Sequence, residues 1–374
     1  MLIHLGESAT ADAISASNTA QRSHVCIENL LLAHFEGDHV VSLRPDDIDA
    51  LARAPLDWSA RARRALGHID GKYAEIAGLR RDVPWSIDLG IGASFDGAAH
   101  EVAVGRKVIR ASLWAFDRVQ KTACSTLLGE NRTDADLFEQ LGLIMQAVRR
   151  WEGMRMIHAP RGGGGDTTAV EFEGIADQGR VLLAVGDTDE RHPASGVGGT
   201  YRKLAEAAQG RPAYQRAHPL HVRTAEGLIP LSVYREVFTS PERLTSVDRI
   251  EQLLRSAPAD VLRYAHLKDG IRLHQVENPK TPQEGAYWSE IAANAGRDRC
   301  NRPTQDQCTK RGECECHVVD ALGGDALALV VTWMKAQRSK RRLAARFGLV
   351  RDPDLSALAD EVLAFGLALP PLQT

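Results

Sequence analysis

The sequence predicts an α/β fold with a mostly parallel sheet, flanked by helices, over residues 123–235. Short uncharged runs such as 181–185 are typical of buried parallel strands. Segments with an apolar residue every three or four positions, such as 135–150, are typical of amphipathic helices. The alternation of the two patterns favours strand–helix–strand units, which build parallel sheets. Acidic residues follow several of these strands, at the edge where open α/β sheets bind ligands.

The composition is that of an ordinary globular protein, with 374 residues, 44% of them hydrophobic and 25% charged. This length accommodates two domains or one large α/β domain with additions. The net charge of −3 supplies no overall positive field, so nucleic-acid binding would need a local basic patch. The chain has no run of 18 apolar residues and no signal-peptide pattern at its start. We therefore expect a cytoplasmic protein without membrane association.

The first 120 residues carry no spacing that is typical of metal ligands or of a nucleophile. The elements predicted there are helices at 20–35, 46–51 and 58–69, and strands at 39–43, 85–91 and 101–104. Asp47 and Ser59 are suitable helix caps. The sequence thus predicts an N-terminal α+β or adaptor region (1–120), a catalytic domain (121–238) and a helical C-terminal region (239–374).

The catalytic pattern begins at a short strand, 125–129, which Glu130 follows directly. The helix at 135–150 comes next, and Asn131 or Thr133 can cap it. Asp134 falls in or next to the first helical turn. The first strand end therefore carries two carboxylates.

A second strand, predicted at 155–159, leads into four consecutive glycines, 162–165. Such a run can let another backbone or a phosphate approach closely, because no side chain intervenes. The helix predicted at 167–176 would direct its N-terminus to the same place, which favours an anion. The alternative is an irregular surface turn, and the pattern alone leaves both interpretations open.

The third strand, 181–185, ends in Asp187 and Asp189. Residues two apart on a strand point to the same side, so these carboxylates are predicted to project together. Two like charges in one place favour a bound cation, here Mg²⁺ or Mn²⁺. The alternative is a solvated acidic turn. A fourth strand is predicted at 219–222, with Glu226 shortly after it.

Residues 123–235 resemble a TOPRIM domain, the catalytic core of topoisomerases, bacterial primases and several nucleases. That family carries a glutamate after its first strand and an Asp-x-Asp after its third, which correspond here to Glu130 and to Asp187 with Asp189. The OLD (overcoming lysogenisation defect) type is the most similar version. Its first motif, Glu-Gly-x-x-Asp, runs here from Glu130 to Asp134, with Asn131 in the glycine position.

The segments 186–193 and 223–230 resemble standalone TOPRIM proteins of bacterial phage-defence loci. Those proteins often read Arg-Glu-x-Glu-Asn in the second segment, and Ala225 and Gly227 depart from this pattern. The departure leaves the role of Glu226 open. The chain contains no phosphate-binding motif of the G-x-x-x-x-G-K-[ST] kind, so an ATPase partner would be a separate chain.

The resemblance implies a divalent-metal centre in which hard oxygen ligands select Mg²⁺ or Mn²⁺. The implied metal ligands are Glu130, Asp134, Asp187, Asp189 and Glu226, and Glu130 could instead serve as general base. Lys268 is a candidate for offsetting charge on the reacting phosphate. The alternative for Lys268 is a solvated turn lysine.

Four cysteines and a histidine cluster late in the chain, as Cys300-x7-Cys308-x5-Cys314-x-Cys316-His317. Soft ligands at this density favour a structural Zn²⁺ site, because the intervening residues supply little apolar core. His317 would be a substitute ligand or a bystander. Disulfides and free thiols are the alternatives.

A helix is predicted at 323–346, and its last turns are strongly basic. The residues concerned are Lys335, Arg338, Lys340, Arg341, Arg342 and Arg346. They could contact phosphates, or they could be a solvated helix end whose charges suit the helix dipole.

Together these features predict a metal-dependent endonuclease that acts on DNA, or alternatively RNA, in bacterial anti-phage defence. A partner protein encoded nearby, such as an ATPase, is expected. The alternative from another class is a catalytically silent TOPRIM scaffold that binds nucleic acid or a protein. A primase-like or strand-passing enzyme is disfavoured, because no tyrosine stands in a recognisable nucleophile context.

Overall fold

The computed structural model describes residues 1–299 and 316–373. The described chain packs into two compact units. Unit 1 comprises residues 1–185, 204–218 and 356–374, and unit 2 comprises residues 186–203 and 219–355. The three regions predicted from sequence stay a prediction, because they concern function as well as packing.

The strands are β1 (Leu2–Leu5), β2 (Val40–Ser42), β3 (Trp85–Gly90), β4 (Asp96–Ala103), β5 (Arg106–Ser112), β6 (Thr126–Gly129), β7 (Arg155–Met156), β8 (Ala159–Gly162), β9 (Leu182–Asp187), β10 (Gln215–Leu220), β11 (Ile271–Arg272), β12 (His317–Val319) and β13 (Leu367–Ala368). The helices of the first half are α1 (Glu7–Ile14), α2 (Ala20–Glu36), α3 (Pro45–Arg53), α4 (Ala60–Gly71), α5 (Tyr73–Asp82), α6 (Arg132–Val148) and α7 (Thr168–Asp177). The later helices are α8 (Gly199–Ala208), α9 (Leu231–Val237), α10 (Pro241–Leu254), α11 (Val261–Tyr264), α12 (Leu273–Glu277), α13 (Pro282–Asn294), α14 (Ala326–Ala336), α15 (Lys340–Arg346) and α16 (Pro353–Gly366).

The N-terminal sheet of unit 1 has the strand order β2-β1-β3-β5-β4. The pairs β1–β2, β1–β3 and β3–β5 are parallel, and only β4 runs antiparallel to its neighbour β5. The interior strand β1, between β2 and β3, is buried along its length, as expected for a strand covered on both faces. Ser59 caps α4 through its hydroxyl, as predicted, whereas Arg44 and not Asp47 precedes α3.

The second sheet has the order β10-β9-β6-β8. Strand β6 pairs in parallel with β8 and with β9, with Leu128 opposite Arg161 and Ala184. Helix α6 packs on β6 and β8, and its apolar face, including Phe138 and Leu141, is buried. The predicted α/β class with a mostly parallel sheet flanked by helices is therefore confirmed.

The strand predicted at 155–159 is wrong in detail, because the segment divides between two sheets. Strand β7 pairs antiparallel with the C-terminal β13, and β8 starts at Ala159 beside β6. Between these two strands, His158 Nδ1 lies 2.9 Å from Ser125 Oγ, and His158 Nε2 donates to the Val362 carbonyl at 2.9 Å. A distant part of the chain thus divides a segment that is continuous in sequence pattern.

The fourth strand starts earlier than predicted, at Gln215 and not at 219. Its polar residues did not suggest a buried strand, yet each has a partner in unit 1. The Gln215 amide donates to the Ala176 carbonyl (2.8 Å), and His218 Nδ1 lies 2.9 Å from a carboxylate oxygen of Glu361. Buried polar groups are tolerated when they are hydrogen-bonded in this way.

The helix predicted at 323–346 divides into α14 and α15. Ser339 caps the second helix by accepting a hydrogen bond from the Arg342 amide at 3.4 Å. Within the basic cluster, Lys340 donates to the Met334 carbonyl (2.6 Å) and Arg346 pairs with Glu236. In the described ranges, we find no helix long and apolar enough to cross a membrane.

Candidate functional site

Glu130 and Asp134 belong to unit 1, where they surround the N-terminus of α6. Asn131 caps the helix, its side chain accepting from the Asp134 amide (3.1 Å), and the Asp134 carboxylate accepts from the Asn131 amide (3.0 Å). This reciprocal pair is a capping box, which satisfies two backbone donors at the helix start. Asp134 is buried, with 4% exposure. Its carboxylate therefore supports the helix, whatever further role it has.

The glycine run approaches another backbone closely. The amides of Gly163, Gly164 and Gly165 donate to the carbonyls of Gly129 (2.8 Å) and Glu130 (2.8 and 3.2 Å). These three donors are therefore already used, and the interpretation as a phosphate cradle is not supported for them. The close approach of two backbones, the other interpretation of the glycines, is what the structure contains.

We expect Gly162→Ala to lower the free energy of unfolding by about 2 kcal/mol, although Gly162 is exposed. A Cβ at this position would lie 2.7 Å from the Arg132 amide nitrogen and 3.0 Å from the Asn131 carbonyl carbon. Both are backbone atoms that cannot rotate away. Urea denaturation followed by circular dichroism measures the change.

The matched control is Gly174→Ala in α7, where a Cβ meets nothing within 4 Å. Removing a helix-interior glycine is expected to stabilise the protein by about 0.5–1 kcal/mol. Equal effects of the two substitutions would contradict the steric argument.

Asp187 and Asp189 lie in unit 2, and the prediction that strand geometry aligns them is wrong. Strand β9 ends at Asp187, and Asp189 has a left-handed backbone with φ 53°. The chain therefore leaves the two-residue strand period before Asp189. Gly198 permits the turn, since a Cβ there would lie 2.5 Å from the Cβ of Asp189. A non-glycine residue held at positive φ is strained, and such residues cluster at functional sites.

The turn that carries Asp189 is held on both sides by hydrogen bonds. The Gly198 amide donates to the Thr188 carbonyl at 2.6 Å. The Thr188 hydroxyl, 1% exposed, donates to the Val222 carbonyl at 3.2 Å. These contacts fix the Asp-x-Asp turn against the segment that leads to Glu226.

Glu226 lies in a 3-10 turn (Ala225–Leu228) and is 8% exposed. The Tyr234 hydroxyl donates to its backbone carbonyl at 3.0 Å. Among the described residues, no donor is hydrogen-bonded to its side-chain carboxylate. Burying most of a carboxylate is costly unless water, a donor or a cation compensates it. Glu226 is therefore a candidate ligand.

Lys268 also lies in unit 2, but on its surface. The side chain is exposed, and its Cε lies 3.5 Å from the position of a Cβ built on Gly324. It does not line the cavity described next. This is the setting of a solvated turn lysine.

Beside Asp189 and Glu226, unit 2 contains a polar cavity of about 600 Å³ whose lining includes Arg191, Arg223, His266 and Trp288. Burial and then the neighbouring Arg191 lower the pKa of the Arg223 guanidinium to about 10, whereas Glu284, Asp189 and Asp269 oppose this shift. Burial and Arg223 lower the pKa of His266, whereas Asp269, Glu226 and Asp189 oppose it. Both carboxylates thus act electrostatically on residues of the cavity wall.

Among residues 1–299 and 316–373, no group of three or more His, Cys, Asp or Glu side chains is placed to hold a metal ion. Three of the predicted zinc ligands, Cys300, Cys308 and Cys314, lie outside the described residues. Cys316 is described, and its carbonyl accepts from the Leu273 amide at 2.9 Å next to β12. The zinc prediction therefore stays a prediction.

Sequence reasoning missed the cavity residues. Arg223 stood in a quoted motif without an assigned role, and His266 and Trp288 carry no spacing signal. Their proximity arises from α13 and from the loop after α11, which lie far from Asp189 in sequence. The one sequence feature that could have indicated a role for Arg223 is its position three residues before Glu226.

Comparison with known proteins provides no further guide, since no family model, no curated protein and no solved structure matches this chain.

Proposed function

We propose that the protein is a divalent-metal-dependent endonuclease that hydrolyses phosphodiester bonds in DNA or RNA. The observation that carries the proposal is the strained turn at Asp189, in the same unit as Glu226, a largely buried residue whose carboxylate accepts no hydrogen bond from the described residues. The resemblance of residues 123–235 to OLD-type TOPRIM domains supports the same chemistry. It also supports a role in anti-phage defence with a separately encoded partner.

The donor set suits an open Mg²⁺ or Mn²⁺ site. Magnesium is commonly held by one or two carboxylates, with water and substrate phosphate as the remaining ligands. One or two of the carboxylates of Asp187, Asp189 and Glu226 would hold the ion. When bound, the ion lowers the pKa of a coordinated water and neutralises charge on the phosphate. Glu130 and Asp134, in unit 1, stay candidate metal ligands on the evidence of the sequence.

The chain's own residues would position the substrate. The guanidinium groups of Arg191 and Arg223 suit phosphate oxygens, because their forked donors match phosphate geometry. His266 Nδ1 lies 3.3 Å from the Asp269 amide nitrogen and 3.5 Å from a carboxylate oxygen of the same residue, so Asp269 orients the ring. An imidazole held in this way can contact an oxygen of the reacting phosphate through Nε2.

The test is cleavage of plasmid DNA and of labelled RNA by the full chain, with Mg²⁺, Mn²⁺ or EDTA. We expect cutting that requires the metal and that Asp187→Ala abolishes. Glu290→Gln removes an exposed carboxylate of unit 2 and serves as control. Cleavage that survives both EDTA and Asp187→Ala would overturn the proposal. If neither the chain nor the chain with its neighbouring gene product cuts either substrate, the silent scaffold becomes the better description.

A further inference from the structure

The polar cavity of unit 2 has the size and lining of a small-molecule site. Its volume of about 600 Å³ falls within the range of about 300–1,000 Å³ that is usual for ligand pockets. All of its lining residues belong to unit 2. The cavity is thus formed by one packed body.

One wall of the cavity is cationic and has unused donors. The Arg223 guanidinium makes a single hydrogen bond within the described chain, from Nη1 to the Tyr264 carbonyl at 3.3 Å. Arg191 Nη1 lies 3.5 Å from a carboxylate oxygen of Glu284, at ion-pair distance. The two guanidinium groups repel each other, which contributes to the lowered pKa of Arg223. An anion between them would relieve this repulsion.

His266 contributes an imidazole nitrogen. Its Nδ1 lies 3.3 Å from the Asp269 amide nitrogen and 3.5 Å from the Asp269 carboxylate, whereas its Nε2 has no hydrogen-bond partner in the described chain. Two guanidinium groups with unsatisfied donors and one imidazole nitrogen without a partner therefore line one cavity. Phosphate, with several acceptor oxygens in a tetrahedral arrangement, matches such a set better than a carboxylate does.

The rest of the lining is apolar or neutral and suits a ring. Trp288, Ile271 and Val276 are buried and contribute apolar surface. The Trp288 indole donates to the Arg191 carbonyl at 2.9 Å, which holds the ring beside the cationic wall. Asn278 is exposed and supplies an amide at the cavity margin. A ligand with a phosphate and a planar heterocycle fits this combination.

We propose that this cavity binds a nucleoside monophosphate, with its phosphate on Arg191 and Arg223 and its base against the Trp288 wall. The two sources of this ligand are the 5′-phosphorylated end of a nucleic-acid strand and a free nucleotide. The choice of a nucleotide over another phosphorylated ring rests on the proposed nuclease function. The lining contains three cationic side chains, Arg191, Arg223 and Lys280, against the carboxylates of Glu284 and Asp269, so it stays cationic overall.

The experiment is calorimetric titration of the full chain with AMP, UMP, adenosine and inorganic phosphate, in EDTA. We expect AMP and UMP to bind at least about tenfold more tightly than adenosine or phosphate alone, since the cavity contacts both parts. A short oligonucleotide with a 5′-phosphate is compared with its 5′-hydroxyl form. Tighter binding of the phosphorylated oligonucleotide assigns the cavity to strand ends, and binding of AMP but of neither oligonucleotide assigns it to free nucleotide.

Two variants and one control test whether AMP binds in this cavity. Arg191→Gln and Arg223→Gln are each expected to weaken AMP binding at least about tenfold. Arg255→Gln removes the same charge from an exposed position of unit 2 and is expected to change affinity less than about twofold. Thermal unfolding of each variant excludes loss of folding, and the comparison of AMP with adenosine needs no variant.

The proposal is overturned if no phosphorylated ligand binds more tightly than its unphosphorylated form, or if Arg255→Gln weakens binding as much as Arg223→Gln. Because the titration contains no divalent metal and measures no cleavage, its outcome is independent of the nuclease assay. Binding without cleavage would retain the cavity as a nucleotide site and reject the endonuclease.

Discussion

Asp189→Asn is expected to reduce metal-dependent cleavage at least about 1,000-fold while leaving the fold intact. The loss follows from removing a charged oxygen ligand, since metal assistance contributes several kcal/mol to the transition state and each 1.4 kcal/mol is about tenfold in rate. Asparagine is chosen because it tolerates the positive φ of 53° that residue 189 adopts. The substitution therefore separates charge from backbone conformation.

A second variant, Asp189→Ala, distinguishes the effect of the charge from the effect of the backbone conformation. It removes the charge and also places a residue with poor tolerance for positive φ in the strained turn, at a cost of about 1 kcal/mol. We expect both variants to be equally inactive, and only the alanine variant to have a lowered unfolding midpoint. Initial cleavage rates and urea midpoints of the three proteins provide the comparison.

Retention of more than a tenth of the wild-type rate in Asp189→Asn would show that this carboxylate is no metal ligand. Gly198→Ala tests the support of the turn, because its Cβ would collide with the side chain of Asp189. It is expected to lower cleavage by displacing Asp189.

Acidification from pH 7.5 to 5.0 is expected to lower the free energy of unfolding of unit 1 by at least about 4 kcal/mol. Four of its histidines are buried and held neutral. Burial lowers the pKa of His4 to about 4, with Arg80 contributing, and that of His158 to about 3. Burial, with His68 contributing, lowers the pKa of His34 to about 3, and burial lowers that of His39 well below 6.5.

The sign follows from the protons that each state binds. Below pH 6.5 the unfolded chain protonates these histidines, whereas the folded protein leaves them neutral until the pH approaches 4 or 3. The unfolded state therefore gains about 1.4 kcal/mol per histidine for each pH unit in this window. At His34 a hydrogen bond also opposes protonation, since Nδ1 accepts from the Val41 amide at 3.0 Å.

Urea denaturation at half-unit pH intervals measures the effect as the slope of the unfolding free energy against pH. His158→Gln should reduce this slope by close to one proton, at the cost of some stability at pH 7.5. His100→Gln removes an exposed histidine of unit 1 and should leave the slope unchanged. A flat stability profile between pH 6.5 and 5.0 would contradict the prediction.

Apolar periodicity was sufficient to predict the α/β class, because burying one face of a helix or both faces of a strand requires a regular pattern. Helix α6 and the strands β6 and β9 were predicted to within about three residues. The Asn131 cap was also visible, since a short polar side chain before a helical period has a specific local role. These features depend on neighbours in sequence.

Contacts between residues that lie far apart in sequence could not be predicted from the sequence. The polar strand β10 is tolerated in the sheet because Glu361, about 145 residues later, lies beside His218. The segment around His158 is divided because residues near the C-terminus compete for it. No local sequence pattern predicts such contacts, because the residues next to the partner in sequence give no indication of which distant residue it will contact.

The candidate site likewise has some features that local sequence predicts and others that depend on distant contacts. The sequence by itself determined the α/β class and identified Asp187, Asp189 and Glu226 as carboxylates that merit a role. The tertiary structure alone decided that Asp189 lies in a strained turn, that the glycine amides are used by another backbone, and that Arg191, Arg223 and His266 share one cavity. The physical reason is that strand and helix periods act over a few residues, whereas burial and electrostatic proximity depend on how the whole chain packs.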